Sequence, residues 1–246
     1  LISADGGLNA AQNRALGFYL NTDQASTNAE NIGDLVLGGG HSYVTIDART
    51  AADDPFIQPN TVVRNNASTL TVRGWDLGEA GSGAQVSRLI MDNANEVAFR
   101  SANEIGGGGA LGTTTISIVP WAIGSDASII FANAVGDTNP GNSFAQYEDT
   151  NGFRVLDLAT EYSTFAGAGG ATDNVRESIS APLAIGSAGP GVTTVNSLVL
   201  DNIATPGLTV LGAGAGESLE VTSGGFLFTN SGAVATATTY DTTLGG

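Results

Sequence analysis

The sequence predicts an all-β fold, built as a solenoid of short strands stacked side by side, and three observations carry that prediction. Gly makes up 35 of the 246 residues while charged residues reach only 13%. That balance removes the helix formers and charged pairs on which long surface helices rely and supplies turn residues instead. Short runs rich in Val, Ile, Leu and Thr recur along the chain, each closed by Gly, Asn, Asp or Pro. Several of these runs are apolar at consecutive positions, as in Leu35-Val36-Leu37, Leu89-Ile90-Met91 and Ile129-Ile130-Phe131. Consecutive apolar positions suit parallel strands covered on both sides better than two-faced hairpins.

Taken in order, the predicted strands fall within Ile32–Gly40, Ser42–Asp47, Asn60–Asn66, Ser68–Gly74, Val86–Asn93, Thr113–Pro120 and Ala127–Asn133. After Pro190 the rhythm tightens into Val192–Asn202, Gly207–Gly214, Glu217–Gly225, Phe226–Gly232 and Ala233–Tyr240, with a stop every roughly 8–12 residues, the spacing of an all-β chain. Asn closes several of these runs, at Asn66, Asn93, Asn133, Asn202 and Asn230. Asn tolerates the left-handed backbone that a tight corner between sheets demands. Small-residue turns such as Gly38-Gly39-Gly40 and Ser223-Gly224-Gly225 fit sites where neighbouring backbones come close. Two octads, Val86–Asn93 (VSRLIMDN) and Val195–Asn202 (VNSLVLDN), nearly repeat each other. Each reads as one wall of one coil, with the apolar run facing the core and Asp-Asn turning the corner. Only Gly7–Leu20 could hold a helical turn, with an end cap or a further strand as its alternatives.

Asp and Glu total 24 against 8 Arg and no Lys, giving a net charge of −16 and an isoelectric point near 4.1. Such a surface repels phosphate backbones and anionic headgroups, so neither nucleic acid nor direct membrane insertion is expected. No apolar run approaches the roughly 18 residues of a membrane span, nor is there a basic and apolar leader. The absence of Cys excludes disulfides and thiolate metal sites. Beginning with Leu1 and ending in a turn-like Gly245-Gly246, the sequence reads as a mature or excised piece.

The ordered series Ile116–Gly124 (ISIVPWAIG), Phe144–Leu156 (FAQYEDTNGFRVL), Thr172–Arg176, Thr194–Asn202 and Glu217–Phe228 resembles bacterial autotransporter-associated β-strand repeat proteins. Leu70–Gly78 (LTVRGWDLG) and the octad after it resemble that family's upstream segment, so the similarity spans Leu70 to Phe228. The resemblance implies a right-handed parallel β-helix, with irregular loop insertions, in a secreted or surface-displayed passenger. It brings no catalytic residues with it.

Sites of chemistry are sparse. His41 is the single histidine, after a Gly run, and reads as an exposed turn residue without a second His or Cys to share a metal. Gly124–Ser128 (GSDAS) lacks the spacing of a serine nucleophile elbow. The carboxylate pairs Asp53-Asp54 and Glu148-Asp149 lie in loop-like sequence, where adjacent side chains diverge. Arg64, Arg73, Arg88 and Arg100 would line one groove if successive coils stacked in register. Calcium is the ligand best matched to the turns, with Asp137, Asn139, Asp149 and Asn151 as candidate oxygen donors, although both segments also read as ordinary turn chemistry. No cofactor is required. Trp75 and Trp121 read as core or edge fillers, and Gly106–Gly109 lacks the Lys and helix of a phosphate cradle.

Residues 1–69 are expected to form N-terminal coils or a capping segment, and residues 70–246 a continuous β-helix body. The functional expectation is a non-enzymatic structural protein, secreted or at the cell surface, a passenger or fibre subunit with an adhesive role. Open strand edges would let copies associate end to end, and surface glycans are candidate partners. The competing reading is a carbohydrate-active β-helix enzyme, a polysaccharide lyase or glycoside hydrolase, with its side chains on adjacent coils.

Overall fold

The computed structural model describes residues 18–21, 29–47, 54–79, 86–125, 142–179, 183–185, 192–202, 210–212 and 218–229. They form sixteen strands and one helix, an all-β fold, divided between two compact units. The first comprises residues 1–105 and 117–156, the second residues 106–116 and 157–246. The position separating residues 1–69 from 70–246 falls inside the first unit.

In the first unit, β2 (Ala29–Ile32), β3 (Leu35–Leu37) and β4 (His41–Asp47) are followed by β5 (Phe56–Pro59), β6 (Val62–Arg64) and β7 (Thr69–Gly74). Each strand of the first trio pairs in parallel with its counterpart in the second: Ala29 lies beside Phe56, Leu35 beside Val62 and His41 beside Thr69. β1 (Phe18–Asn21) extends this arrangement on the outer side of β4, and β8 (Arg88–Leu89) on the outer side of β5. Alternation sets the inner face of the largest sheet. Val44 and Ile46 on β4 and Leu70 and Val72 on β7 are buried, while His41 is exposed and Tyr43 half-buried. Removing each of these aliphatic side chains from water contributes about 1.5–3 kcal/mol.

Tight turns connect the strands. Between β6 and β7, Asn66 (φ 51°) and Ala67 (φ 53°) are both left-handed, and the Ser68 N–H donates to the Asn65 carbonyl at 3.0 Å. Asn66 suits that conformation, and its side-chain amide donates to the Gly38 carbonyl at 2.7 Å, tying the turn to the preceding layer. Ala67 does not suit it. Ala67→Gly should therefore raise stability by about 1 kcal/mol, read as a higher urea midpoint at unchanged slope. A lower midpoint would show that chain entropy outweighs the relief of strain.

Two features depart from uniform parallel stacking. The first is helix α1, Asn93–Asn103, where the sequence reads a strand followed by a corner. The octad Val86–Asn93 contributes only the two residues of β8, after which Asp92 adopts an extended backbone at the N-cap (φ −61°, ψ 130°) and the helix begins. Ala, Glu and Arg favour the helix, with Glu96 in its first turn and Arg100 in its last, each complementing the helix dipole. Phe99 is its one buried residue, so the sequence carries no apolar stripe to announce it. Gly7–Leu20, the helical candidate, lies outside the described residues except for Phe18 to Leu20, which belong to β1.

The second departure is antiparallel. β9 (Val119–Ser125) continues the parallel sheet beside β7, but β10 (Asn142–Glu148) and β11 (Gly152–Val155) add to it as an antiparallel hairpin. The sheet order is β1-β4-β7-β9-β10-β11. Aromatic residues fill the space under this hairpin: Phe99 of α1 meets Trp121, Tyr147 and Phe153 edge to face, at centroid distances of 6.0, 5.4 and 5.6 Å.

Among the described residues, the strands of the second unit pair in parallel. β12 (Asn174–Ile179), β14 (Val192–Asn202) and β16 (Ser218–Thr229) form one sheet, and β13 (Leu183–Ile185) and β15 (Val210–Gly212) another. Val175, Val195, Leu198 and Leu200 make its core. Here the octad Val195–Asn202 does form a strand, so nearly the same eight residues take different structures in the two units. The expected strand is present at the Val195–Asn202 octad, whereas in Val86–Asn93 only Arg88 and Leu89 are in a strand.

Candidate functional site

Three groups of polar side chains gather the residues the sequence singles out, together with others it does not. The first lies on the outer face of β4 and β7. His41 is the first residue of β4 rather than a turn residue, and it is exposed as expected. Its Nδ1 stands 2.6 Å from the Thr69 hydroxyl and its Nε2 2.9 Å from the Thr71 hydroxyl. The Tyr43 ring meets the imidazole edge to face at 4.6 Å and carries the Arg73 guanidinium over its face at 4.1 Å. Parallel pairing creates this group, since residues two apart share a face and His41 and Tyr43 lie beside Thr69 and Thr71.

Partial burial lowers the His41 pKa below 6.5, and the Arg73 charge lowers it further. A neutral imidazole can donate from one nitrogen and accept at the other, satisfying both threonines, whereas an imidazolium can only donate. Because protonation is disfavoured in the fold, the histidine's contribution to stability is present above pH 6.5 and is lost as pH falls through its folded pKa. His41→Gln should accordingly show a shallower fall in melting temperature between pH 7 and pH 5 (about the histidine range) than the parent chain. Superimposable profiles would refute the coupling.

The second group surrounds the end of α1. Glu104 accepts from Arg100 at 3.0 Å and from the Tyr147 backbone N–H at 3.1 Å. Burial raises its pKa against the opposing pull of these two donors. Arg100 also pairs with Asp149. The Tyr147 hydroxyl accepts the Met91 N–H at 2.7 Å, and burial raises the phenol's pKa as well. Every one of these groups is engaged in positioning α1 against β10.

This second group contains half of the calcium candidates. Asp149 and Asn151 lie in the turn between β10 and β11, with Asp149 on Arg100 and the Asn151 amide donating to Glu148 at 2.9 Å. The carboxylates of Glu148 and Asp149 thus serve separate partners. Asp137 and Asn139 lie outside the described residues, as does Asp53. Among the described residues, no three His, Asp or Glu side chains converge closely enough to hold a metal ion.

The third group is in the second unit, where buried carboxylates tie down the Gly-rich segment 106–116. Glu161, 1% exposed, accepts the Gly112 and Asp157 N–H groups, each at 2.8 Å. Asp173 accepts the Thr114 hydroxyl at 2.7 Å and the Gly169 N–H. The Gly107 and Gly109 N–H groups both donate to the Thr115 carbonyl, so these amides face their own loop.

The four arginines do not line one groove. Arg64 is on β6, Arg73 on β7, Arg88 on β8 and Arg100 on α1, each in a different sheet or element. Arg64 donates to the Ser68 carbonyl at 2.7 Å and lies over Trp121, while Arg88 pairs with Asp54 at 2.6 Å. Trp121 is 6% exposed within the aromatic cluster, and Trp75 is half-buried in the turn after β7. Of Gly124–Ser128, Gly124 and Ser125 end β9 and the rest lies outside the described residues.

Sequence reasoning missed Thr69, Thr71, Glu104, Glu161 and Asp173. The alternation His41-Xaa-Tyr43 beside Thr69-Xaa-Thr71-Xaa-Arg73 carries a signal for the first group. No local signal marks Glu104, Glu161 or Asp173, whose partners are set by tertiary contact. No family model, curated protein or solved structure matches the chain.

Proposed function

We propose that the protein is a non-enzymatic structural protein of the cell exterior, secreted or displayed at the surface, folded as a right-handed parallel β-helix. It acts as a passenger or fibre subunit with an adhesive role. One observation carries this reading: β2, β3 and β4 pair one for one, in parallel, with β5, β6 and β7, at offsets of 27, 27 and 28 residues (Ala29 to Phe56, Leu35 to Val62, His41 to Thr69). One-for-one pairing at a nearly constant offset is what successive coils of a solenoid produce. The ordered resemblance from Leu70 to Phe228 supports the same reading.

End-to-end assembly follows from the edges. Among the described residues β16 has β14 as its one neighbour. Across its twelve residues it carries one charge, Glu220, and no proline, so charge and proline do little to block strand addition there, although a bulge interrupts its pairing with β14. The net charge of −16 opposes contact between copies and is screened by salt.

Negative-stain microscopy and sedimentation of the purified chain test this. The expected result is rods that lengthen into fibres as ionic strength rises from about 0.01 to 1 M, a range over which the Debye length falls from about 30 to 3 Å. Discrete particles at every salt concentration would refute assembly. Reducing-sugar release from neutral or acidic glycans would replace the structural reading with the carbohydrate-active enzyme.

A further inference from the structure

Pairing of β12 with β14 poses a register problem that apolar burial does not solve. Val175 lies beside Leu198, Arg176 beside Val199 and Glu177 beside Leu200. A slip of one residue would turn every side chain of β14 to the opposite face and is strongly disfavoured. A slip of two keeps all faces as they are. Val175 would then move from Leu198 to Leu200, two residues of the same buried core. Arg176, already paired with Asp201, would move from beside Val199 to beside Asp201 itself. Neither the core nor the ion pair distinguishes the two registers.

Repeat length does not distinguish them either. The offset from β12 to β14 is 23 residues (Asn174 to Ser197), whereas from β14 to β16 it is 26 before the bulge (Val195 to Val221) and 28 after it (Ser197 to Gly225). With no constant period, the register needs another determinant.

That determinant is polar and buried. Asn174, Asn196 and Ser197 are all 0% exposed. The Asn174 side-chain oxygen accepts both the Asn196 amide and the Ser197 hydroxyl, each at 2.8 Å, while its own amide donates to the Ile116 carbonyl at 2.8 Å. The Asn196 backbone N–H donates to the Asp173 carbonyl at 2.8 Å, and its carbonyl accepts the Ser223 hydroxyl of β16 at 2.6 Å. Asn196 is also the residue passed over where the pairing of β14 with β16 shifts register.

We propose that this thread from Ile116 through Asn174, Asn196 and Ser197 to Ser223 is a register lock. It selects one of two alignments that the apolar pattern would accept about equally. After a slip of two, Asn174 would lie beside Val199, whose side chain has no donor. The buried Asn174 oxygen would then lose both of its hydrogen bonds, a loss that is costly in a low-dielectric interior.

Replacing Asn174 by Leu, which keeps the branched outline of the side chain but is bulkier and carries no hydrogen-bonding group, removes the penalty. Nuclear Overhauser contacts between β12 and β14 in the isotopically labelled full chain report the register. The parent chain should give one set of resonances, with Val175 against Leu198. Asn174→Leu should add a second set, with Val175 against Leu200, its population raised at least tenfold over the parent. Ser197→Ala, which removes one of the two donors, should give the same second set at a smaller population. A single native register in both variants would overturn the proposal. Should Asn174→Leu fail to fold, Ser197→Ala decides alone: one native set refutes the lock, and two sets support it.

Discussion

Gly152→Ala should unfold the first unit at a markedly lower temperature than the parent chain. Gly152 opens β11 with φ 77°, a conformation that costs an L residue about 1–2 kcal/mol. A Cβ there would also stand 2.1 Å from the Leu89 carbonyl oxygen and 2.9 Å from the Ile90 Cα, both backbone atoms that cannot swing aside. The two penalties together should exceed about 3 kcal/mol, or roughly 6–12 °C in melting temperature for a chain of this size. Gly40→Ala is the control: its φ is 69°, and nothing lies within 4 Å of the added atom. It should cost only the backbone share. Calorimetry giving equal shifts for the two variants would show that β11 does not press on the backbone after β8.

Phe99→Ala should be comparably damaging for a different reason. Phe99 is 4% exposed and contacts three aromatic rings, Trp121, Tyr147 and Phe153. Truncating such a residue costs about 3–5 kcal/mol in lost transfer energy and residual cavity. It is also the one buried residue of α1, so the helix would lose its anchor. Denaturant titration followed by far-ultraviolet dichroism measures the loss, and a red shift of Trp121 fluorescence would report water entering the cluster. A change within about 0.5 kcal/mol, the ordinary range for a surface substitution, would mean that α1 is held by its polar contacts instead. Those contacts, Arg100 with Glu104 and Asp149, are partly exposed and worth little individually.

These two positions also mark where reading the sequence alone stops. Gly152 belongs to an Asn-Gly pair that reads as turn chemistry, and it follows the turn directly as the first residue of β11. Nothing local says that the turn packs on the backbone of a strand more than sixty residues earlier. Phe99 stands within a stretch whose other residues are polar or small, so no periodic stripe reveals a helix. The octads make the same point: Val86–Asn93 and Val195–Asn202 share their pattern, yet one leads into α1 and the other is a full strand. The outcome depends on which surface each apolar run meets, and an eight-residue pattern does not encode that.

Composition and alternation by themselves determined that this chain builds short strands and tight turns, because strand propensity, turn residues and scarce charge act locally and point the same way. His41 was legible as exposed but not as a strand residue. Only the tertiary structure decided that β10 and β11 run antiparallel, that the four arginines serve separate elements, and that Glu104, Glu161 and Asp173 accept from Tyr147, Gly112 and Thr114. Each of those depends on partners far apart in sequence, where the free energy of a buried hydrogen bond or ring contact is set by geometry and not by neighbouring residues.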